Sequence, residues 1–483
     1  MQIKLMESID GIQIDQIIGV TERGTLWRAT RRRKNDRIVR IIDPRFCDHR
    51  FRQALTNLSN LQYPRMLRIV GQGWAGVHFY IEYLADSSWE TLEDHFNRLH
   101  WRMCLQVVDQ ICEILPQWSN SPVHPLGLNA LNIIMVKDFG HFLPWLLPCP
   151  SLKYSSPCDL FGINSSIIST IAPEVIRGVT STERSQDIFA LGTLAMQALG
   201  CSAVRQVTTD EDRVEAQACG ALFVCDMQPA DIEDFLFDVG ALKLLIQVIK
   251  HFSHISPDAR PMDAAELRTA SRSAFEATKP GILALEYVKQ QDSRRALKIL
   301  EWGFETIGEN PTDRILAATI CERIEEFSQA LKHLDQAVEI TPGDLELCWR
   351  RCDLRWYLYQ KLPPLLAGEP DPEGDLLIKD LNWLKLSEMN PTQKNEPHKR
   401  LSTIYRRRHN LPSAAQELFD AIELEAADME ALYLYAQCFK DMKKLDEFTQ
   451  ILHEAYRRLD RMVKTELMSE REAQVWREQF NTL

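Results

Sequence analysis

The sequence predicts two folds in tandem: a mixed α+β unit over residues 1–275, and an all-α repeat solenoid over 276–460 closed by a charged helix over 461–483. Three observations carry this reading. Short β-branched runs mix with helical spacing before residue 275, whereas nearly everything after it has helical period. Small and apolar residues recur at a spacing of 34 in the second half. The 483 residues are 45% apolar and 26% charged, which is ordinary globular composition and suits two or three domains.

Within the first half, IQIDQIIG, TLWRATR and DRIVRIID (12–43) read as strands around turns. RFRQALTNLSNLQ (50–62) has helical spacing, and LRIVGQGW and HFYIEYL return to strand character. NIIMV and FLPWLL form a hairpin around KDFGH, where Gly140 can take the positive φ of a turn. Residues 90–120 and 185–275 are helical. This β-then-α order describes a small sheet lobe followed by a larger helical lobe.

Several short stretches in this half have a familiar arrangement. IGVTERGTLWRA (18–29) has Gly19 and Gly24 in a strand–turn–strand, with Thr21 between them. RIVRII (37–42) carries Arg40, and the helix after it carries Ala54. PLGLNALNIIM (125–135) contains Gly127 and Asn132, followed by APEV (172–175), DIFALG (187–192) and SPDARP (256–261). Together these resemble the protein-kinase fold, particularly bacterial Ser/Thr kinases, and so imply a bilobal α+β domain. The resemblance implies that Glu174 pairs with Arg260 and that Asp187 braces the catalytic loop. It also implies that Arg40 replaces the phosphate-binding lysine, Ala54 its glutamate partner, Gly127 the catalytic aspartate and Trp145 the metal-binding aspartate. Asp138-Phe139-Gly140 spells the metal-binding motif but stands only 6 residues after Asn132, so a hairpin turn is the preferred reading over a metal site.

Phosphoryl transfer needs bridging metal ions, a cation on the phosphates and a carboxylate that orients the acceptor. Arginine is not a lysine point charge, glycine cannot take a proton, and tryptophan cannot hold Mg²⁺. The expectation is therefore a pseudokinase, not an enzyme, with no catalytic residue, cofactor or metal. Gly19, Gly24, Arg40 and Asn132 keep open an alternative: an atypical nucleotide-dependent transferase, or a regulator that still senses ATP.

In the second half, Tyr287, Ala296, Leu300 and Gly303 recur as Cys321, Ala330, Leu334 and Ala337. Tyr405, Ala414, Leu418 and Ala421 recur as Phe439, Phe448, Leu452 and Ala455. A 16-residue insertion near 361–376 accounts for the wider gap between the two pairs. Small residues at fixed spacing let paired helices pack closely and stack. The pattern resembles the tetratricopeptide repeat, about five copies over 280–457, and implies a peptide-binding concave face. Lys399, Thr403, Arg406 and Arg407 share one helical face, as do Tyr433, Gln437 and Lys440. They suit an acidic segment or a C-terminal carboxylate on a protein partner, the alternative being solvated helix faces.

Net charge is −12, with −4 in residues 1–275 and −8 beyond, which argues against a general nucleic-acid binder. A basic cluster, Arg28 to Arg40, reads as a docking patch or as a solvated hairpin tip. The twelve cysteines form no CxxC pair, and buried structural thiols in a reducing cytoplasm are expected. No membrane insertion is expected. The reading as a whole is a kinase-like scaffold or adaptor in a bacterial-type signalling or assembly system.

Overall fold

The computed structural model describes residues 8–21, 24–31, 34–61, 63–85, 89–119, 127–138, 141–150, 160–161, 163, 165–179, 181–200, 209–218, 236, 239–366, 368–387 and 391–483. The chain divides into two compact units, Met1–Ile282 and Leu283–Leu483. The boundary lies a few residues beyond the composition shift near 275.

The first unit opens with a six-stranded antiparallel sheet: β1 (Ser8–Ile9), β2 (Ile12–Thr21), β3 (Gly24–Arg31), β4 (Lys34–Ile42), β5 (Ile69–Ala75) and β6 (His78–Leu84), in the order β1-β2-β3-β4-β6-β5. Asp10 and Gly11 both take positive φ, so Asp-Gly forms the tight turn that pairs Ile9 with Ile12. Alternation along β4 sends Ile38, Arg40 and Ile42 to one face and Val39 and Ile41 to the other. The first face packs on α1 (His49–Ser59) through Phe51, Leu55 and Leu58. Asp48 caps α1 by accepting from the Phe51 N–H at 2.7 Å. The second face forms its own small core of Ile12, Ile14, Trp27, Val39, Ile41 and Tyr80.

The chain continues through β7 (Glu90–Thr91), α2 (Leu92–Arg98), α3 (Trp101–Ser119), β8 (Ile133–Asp138) and β9 (His141–Leu146). Asp138 pairs with His141, so the two strands meet across residues 139–140, which lie outside the described residues. This is the register of the hairpin expected around Asp-Phe-Gly. Then come α4 (Ser165–Ile168), α5 (Pro173–Ile176), α6 (Glu183–Ala198), α7 (Asp210–Ala218), α8 (Gly240–Phe252) and α9 (Ala265–Ala277). Arg102, almost wholly buried on α3, ties α3 to the end of α9. It donates to the Phe275 carbonyl at 2.9 Å and to the Thr278 hydroxyl, and lies over the Phe275 ring. Burial pulls its pKa down to about 10.

The remaining helices are α10 (Pro280–Lys289), α11 (Ser293–Thr306), α12 (Pro311–Arg323), α13 (Phe327–Ile340), α14 (Leu345–Gln360), α15 (Pro372–Leu386), α16 (Pro391–Arg407), α17 (Leu411–Leu424), α18 (Met429–Asp441), α19 (Leu445–Lys464) and α20 (Glu470–Thr482). They read as successive two-helix hairpins from α10/α11 to α18/α19, followed by α20. Ala296, Leu300, Ala330, Leu334, Ala414, Leu418 and Cys321 are fully buried, as close helix packing requires.

The hairpin turns repeat as well. Gln291, Glu325, His409 and Lys443 are left-handed (φ 64, 64, 57 and 61°), and each pair is separated by 34 residues. In each turn the following N–H bonds back to the preceding helix: Asp292 to Tyr287, Glu326 to Cys321, Asn410 to Tyr405 and Lys444 to Phe439. The expected insertion is narrower than its loop-like composition suggests. Asp371 caps α15 through the Gly374 N–H, Pro372 takes the first helical position, and only residues 361–371 connect α14 to α15. The last segment also differs from the expected boundary at 460: α19 runs on to Lys464. α20 is not merely solvated, because its Ala473 and Phe480 are buried.

Candidate functional site

Arg40 is fully buried in a row of core isoleucines, and a guanidinium there must find acceptors. Its Nη2 donates to Asn132 Oδ1 at 2.6 Å and its Nη1 reaches Thr21 Oγ1 at 3.3 Å. Asn132 is 1% exposed; its Nδ2 donates to the Gly127 carbonyl at 2.8 Å, and its own carbonyl accepts from Leu147 at 2.9 Å. The Asn129 side chain holds the backbone N–H groups of Leu131 and Asn132 at 3.0 and 2.8 Å.

The glycines close in from the other side. A Cβ on Gly19 would collide with Leu131 Cδ1, and one on Gly24, at φ 115°, would collide with the Ile41 carbonyl. Thr21 donates to the Gly24 carbonyl at 2.8 Å. Gly19, Thr21, Arg40, Gly127 and Asn132, up to 113 residues apart in sequence, thus meet around Leu131. Leu131 itself is core, packed with Ile38, Ile134 and Leu147. Ala54 lies half-buried on α1, and Trp145 stands on β9 opposite Ile134.

A second polar cluster braces the helical part of this unit. Arg260 donates to both oxygens of Glu174 at 2.6 and 2.7 Å, with both side chains 0% exposed. It also donates to the carbonyls of His254, Ser185 and Ile255, and lies over the Phe189 ring. A buried arginine with this many acceptors fixes α5 against α6 and the 254–260 segment. Asp187 is buried on α6 nearby in sequence.

The basic cluster from Arg28 to Arg40 is partnered within the fold where it is described. Arg31 and Arg37 both pair with Glu82, at 3.0 and 2.7 Å, and Arg28 lies over Trp89. Sequence reasoning missed Glu82, a carboxylate 1% exposed inside an apolar strand. The conspicuous charge in FYIEYL was its only sign. Arg32 and Arg33, and the side chain of Lys34, lie outside the described residues.

In the helical unit the structure divides the expected groove residues. Lys399 Nζ donates to Glu430 at 2.8 Å, with Asp428 and Glu396 nearby. Burial opposes its charge, but these three carboxylates hold its pKa above the usual lysine value. Arg406 donates to Gln437 at 2.9 Å and to Asp441 at 3.2 Å. Thr403 is exposed between them. These residues therefore do line one face shared by α16 and α18, but as a neutralised ladder rather than a basic strip. Arg350–Glu322 and Arg400–Asp353 continue the same pairing between α12, α14 and α16.

Arg407 departs from the expected groove: it lies over the Tyr359 ring and donates to the carbonyls of Tyr359 and Pro363. Tyr433 departs too, packing on Phe480 of α20 at 5.6 Å, and Lys440 donates to the Leu483 carbonyl. Helical phase gives a residue's angle about its own helix. It does not say which neighbour meets it there.

One set of metal-type ligands occurs among the described residues: atoms of His398, Glu417 and Asp420 lie within 4.8 Å of one another. Lys385 already donates to both oxygens of Glu417, at 3.1 and 2.9 Å, and His398 bonds the same carboxylate at 2.7 Å. The set is a satisfied ion-pair network joining α15, α16 and α17. No described helix is long and apolar enough to cross a membrane.

The chain matches no protein-family model, and no curated protein matches it at a significant level.

Proposed function

We propose that residues 1–282 are a kinase-like domain without phosphoryl-transfer activity, and that residues 283–483 are a tetratricopeptide-type array, the whole acting as a scaffold for protein partners. The observation that carries this is the Arg40–Asn132 hydrogen bond, with Leu131 against Gly19. In the kinase resemblance these positions would contact phosphate, metal and the nucleotide-covering loop. Here they bond one another and enclose a core leucine. The Glu174–Arg260 pair supports the same assignment, since the resemblance implies that bond in particular. The left-handed turns and buried alanines at a 34-residue spacing support the repeat assignment.

The test is a thermal-shift titration of the intact chain with ATP plus Mg²⁺ or Mn²⁺. A ligand at 100 times its dissociation constant adds ~2.7 kcal/mol of stability, which is readily seen. The expected result is no shift. Phosphate transfer lost on Asn132→Ala would overturn the proposal, and a shift without turnover would favour the nucleotide-sensing alternative.

For the array, the alternating charges between α16 and α18 favour a partner segment of mixed charge over a purely acidic one. Such a segment would exchange ion pairs with Lys399, Glu430, Arg406 and Asp441 rather than meet bare cations. Lys399→Glu with Arg406→Glu should abolish capture of that partner from lysate while leaving the chain folded. Unchanged capture would count against this face.

A further inference from the structure

We infer that the second helical hairpin carries a proton-operated clasp: His333 on α13 holds Arg314 on α12 only while its imidazole is neutral, so acidification loosens α13 from α12.

Arg314 is 7% exposed, and its guanidinium lies 3.5 Å from the centre of the Phe304 ring of α11. Glu309, just before α12, accepts from Nε at 2.6 Å and from Nη2 at 2.5 Å. The remaining amine, Nη1, sits 3.0 Å from His333 Nδ1. A guanidinium can only donate, so Nδ1 must offer its lone pair, and the ring proton then belongs on Nε2. His333 is itself 8% exposed, with its ring 5.9 Å from that of Phe304.

Protonation would set two N–H groups, both on cations, against each other in a buried site. The charged groups acting on the imidazole are Arg314 from α12 and Glu309 from the preceding segment; α11 contributes the uncharged Phe304. Glu309 favours the charged ring but is already engaged by two donors of Arg314. Burial first, then Arg314, lowers the His333 pKa from its ordinary value, and Glu309 does not reverse this.

The sign follows from linkage. A histidine whose folded pKa is depressed contributes stability that is present above its unfolded pKa, ~6.5, and is lost as pH falls below it. Each proton taken up preferentially by the open state costs up to about tenfold in the closed-to-open ratio per pH unit. Opening here would change the angle between successive hairpins, and with it the face that the array offers to a partner.

The test is hydrogen exchange of the intact chain, read by mass spectrometry at pH 7.5, 6.5 and 5.5 with correction for intrinsic exchange. Protection of α12 and α13 should fall relative to α17 below pH ~6.5, by up to about tenfold per unit. In His333→Gln, whose Oε1 can accept the same bond without titrating, the ratio should stay flat. Arg314→Met, which keeps an unbranched chain on Phe304, should weaken the pH dependence. A flat wild type, or the same loss in His333→Gln, would overturn the inference. If His333→Gln does not fold, NMR titration of the His333 ring in the wild type decides: a pKa at or above ~6.5 also overturns it.

Discussion

Arg260 offers the sharpest test of what holds the first unit together. Arg260→Met keeps an unbranched apolar stem but deletes every donor. It leaves the Glu174 carboxyl 0% exposed without its partner, and removes the donor that Arg260 gives to the carbonyls of His254, Ser185 and Ile255. Removing one member of a buried ion pair costs ~3–5 kcal/mol. Arg260→Met should therefore cost about 4–5 kcal/mol, the upper end of that range, close to the whole stability of a marginal domain. Glu174→Gln should cost less, ~3 kcal/mol, because Arg260 keeps its three carbonyls and an amide acceptor. The double variant Glu174→Leu/Arg260→Met has no bare charge and should be more stable than Arg260→Met alone. With two units the chain need not unfold in one step. The assay is therefore hydrogen exchange in graded urea, read on peptides covering α5, α6 and 254–260. A loss below ~1.5 kcal/mol for Arg260→Met, or a double variant less stable than that single, would refute the reasoning.

Three other outcomes are expected. Replacing Gln291, Glu325, His409 or Lys443 by glycine relieves a left-handed backbone costing ~1–2 kcal/mol, set against ~0.5–1 kcal/mol of extra glycine entropy. Each should raise the urea midpoint of the helical unit, and a lowered midpoint would contradict the turn geometry. Leu131→Ala should destabilise the first unit by ~2–5 kcal/mol in chemical denaturation, because the side chain is 3% exposed among core neighbours. The eight buried cysteines among the described residues should resist thiol reagents at pH 8 and label in urea, as peptide mapping would show. Burial pushes Cys47, Cys104 and Cys352 up to about 12, so little thiolate is present.

What the sequence revealed and what it hid differ in range. The hairpin at Asp138–His141 and the alanines of the helical unit were legible because they follow from spacing along one strand or one helix pair. Glu174 and Arg260, 86 residues apart, were legible only through the kinase resemblance. The partners of the cations were not legible. Arg40 finds Asn132 across 92 residues, Arg31 finds Glu82 across 51 and Arg407 finds Tyr359 across 48. A cationic side chain on a predicted face looks alike whether it meets solvent, a ligand or a carboxylate, and tertiary packing makes that choice. The same holds for Tyr433, whose ring turns to Phe480.

Among the described residues, the buried apolar side chains of the helical unit fall into two clusters. One cluster runs from Ala284 to Ile404 and another from Ala414 to Phe480, with Tyr405 packed against both. Tyr405 on α16, and the bonds of Lys385 and His398 to Glu417 on α17, join the two. α17 to α20 form the second block, which meets the first along the α16–α17 pair. α16 lies on that seam and carries Lys399 and Arg406, whose ion-pair partners Glu430 and Asp441 lie on α18 within the second block. A partner gripping α16 and α18 together would thus act as a splint across the junction of the two clusters.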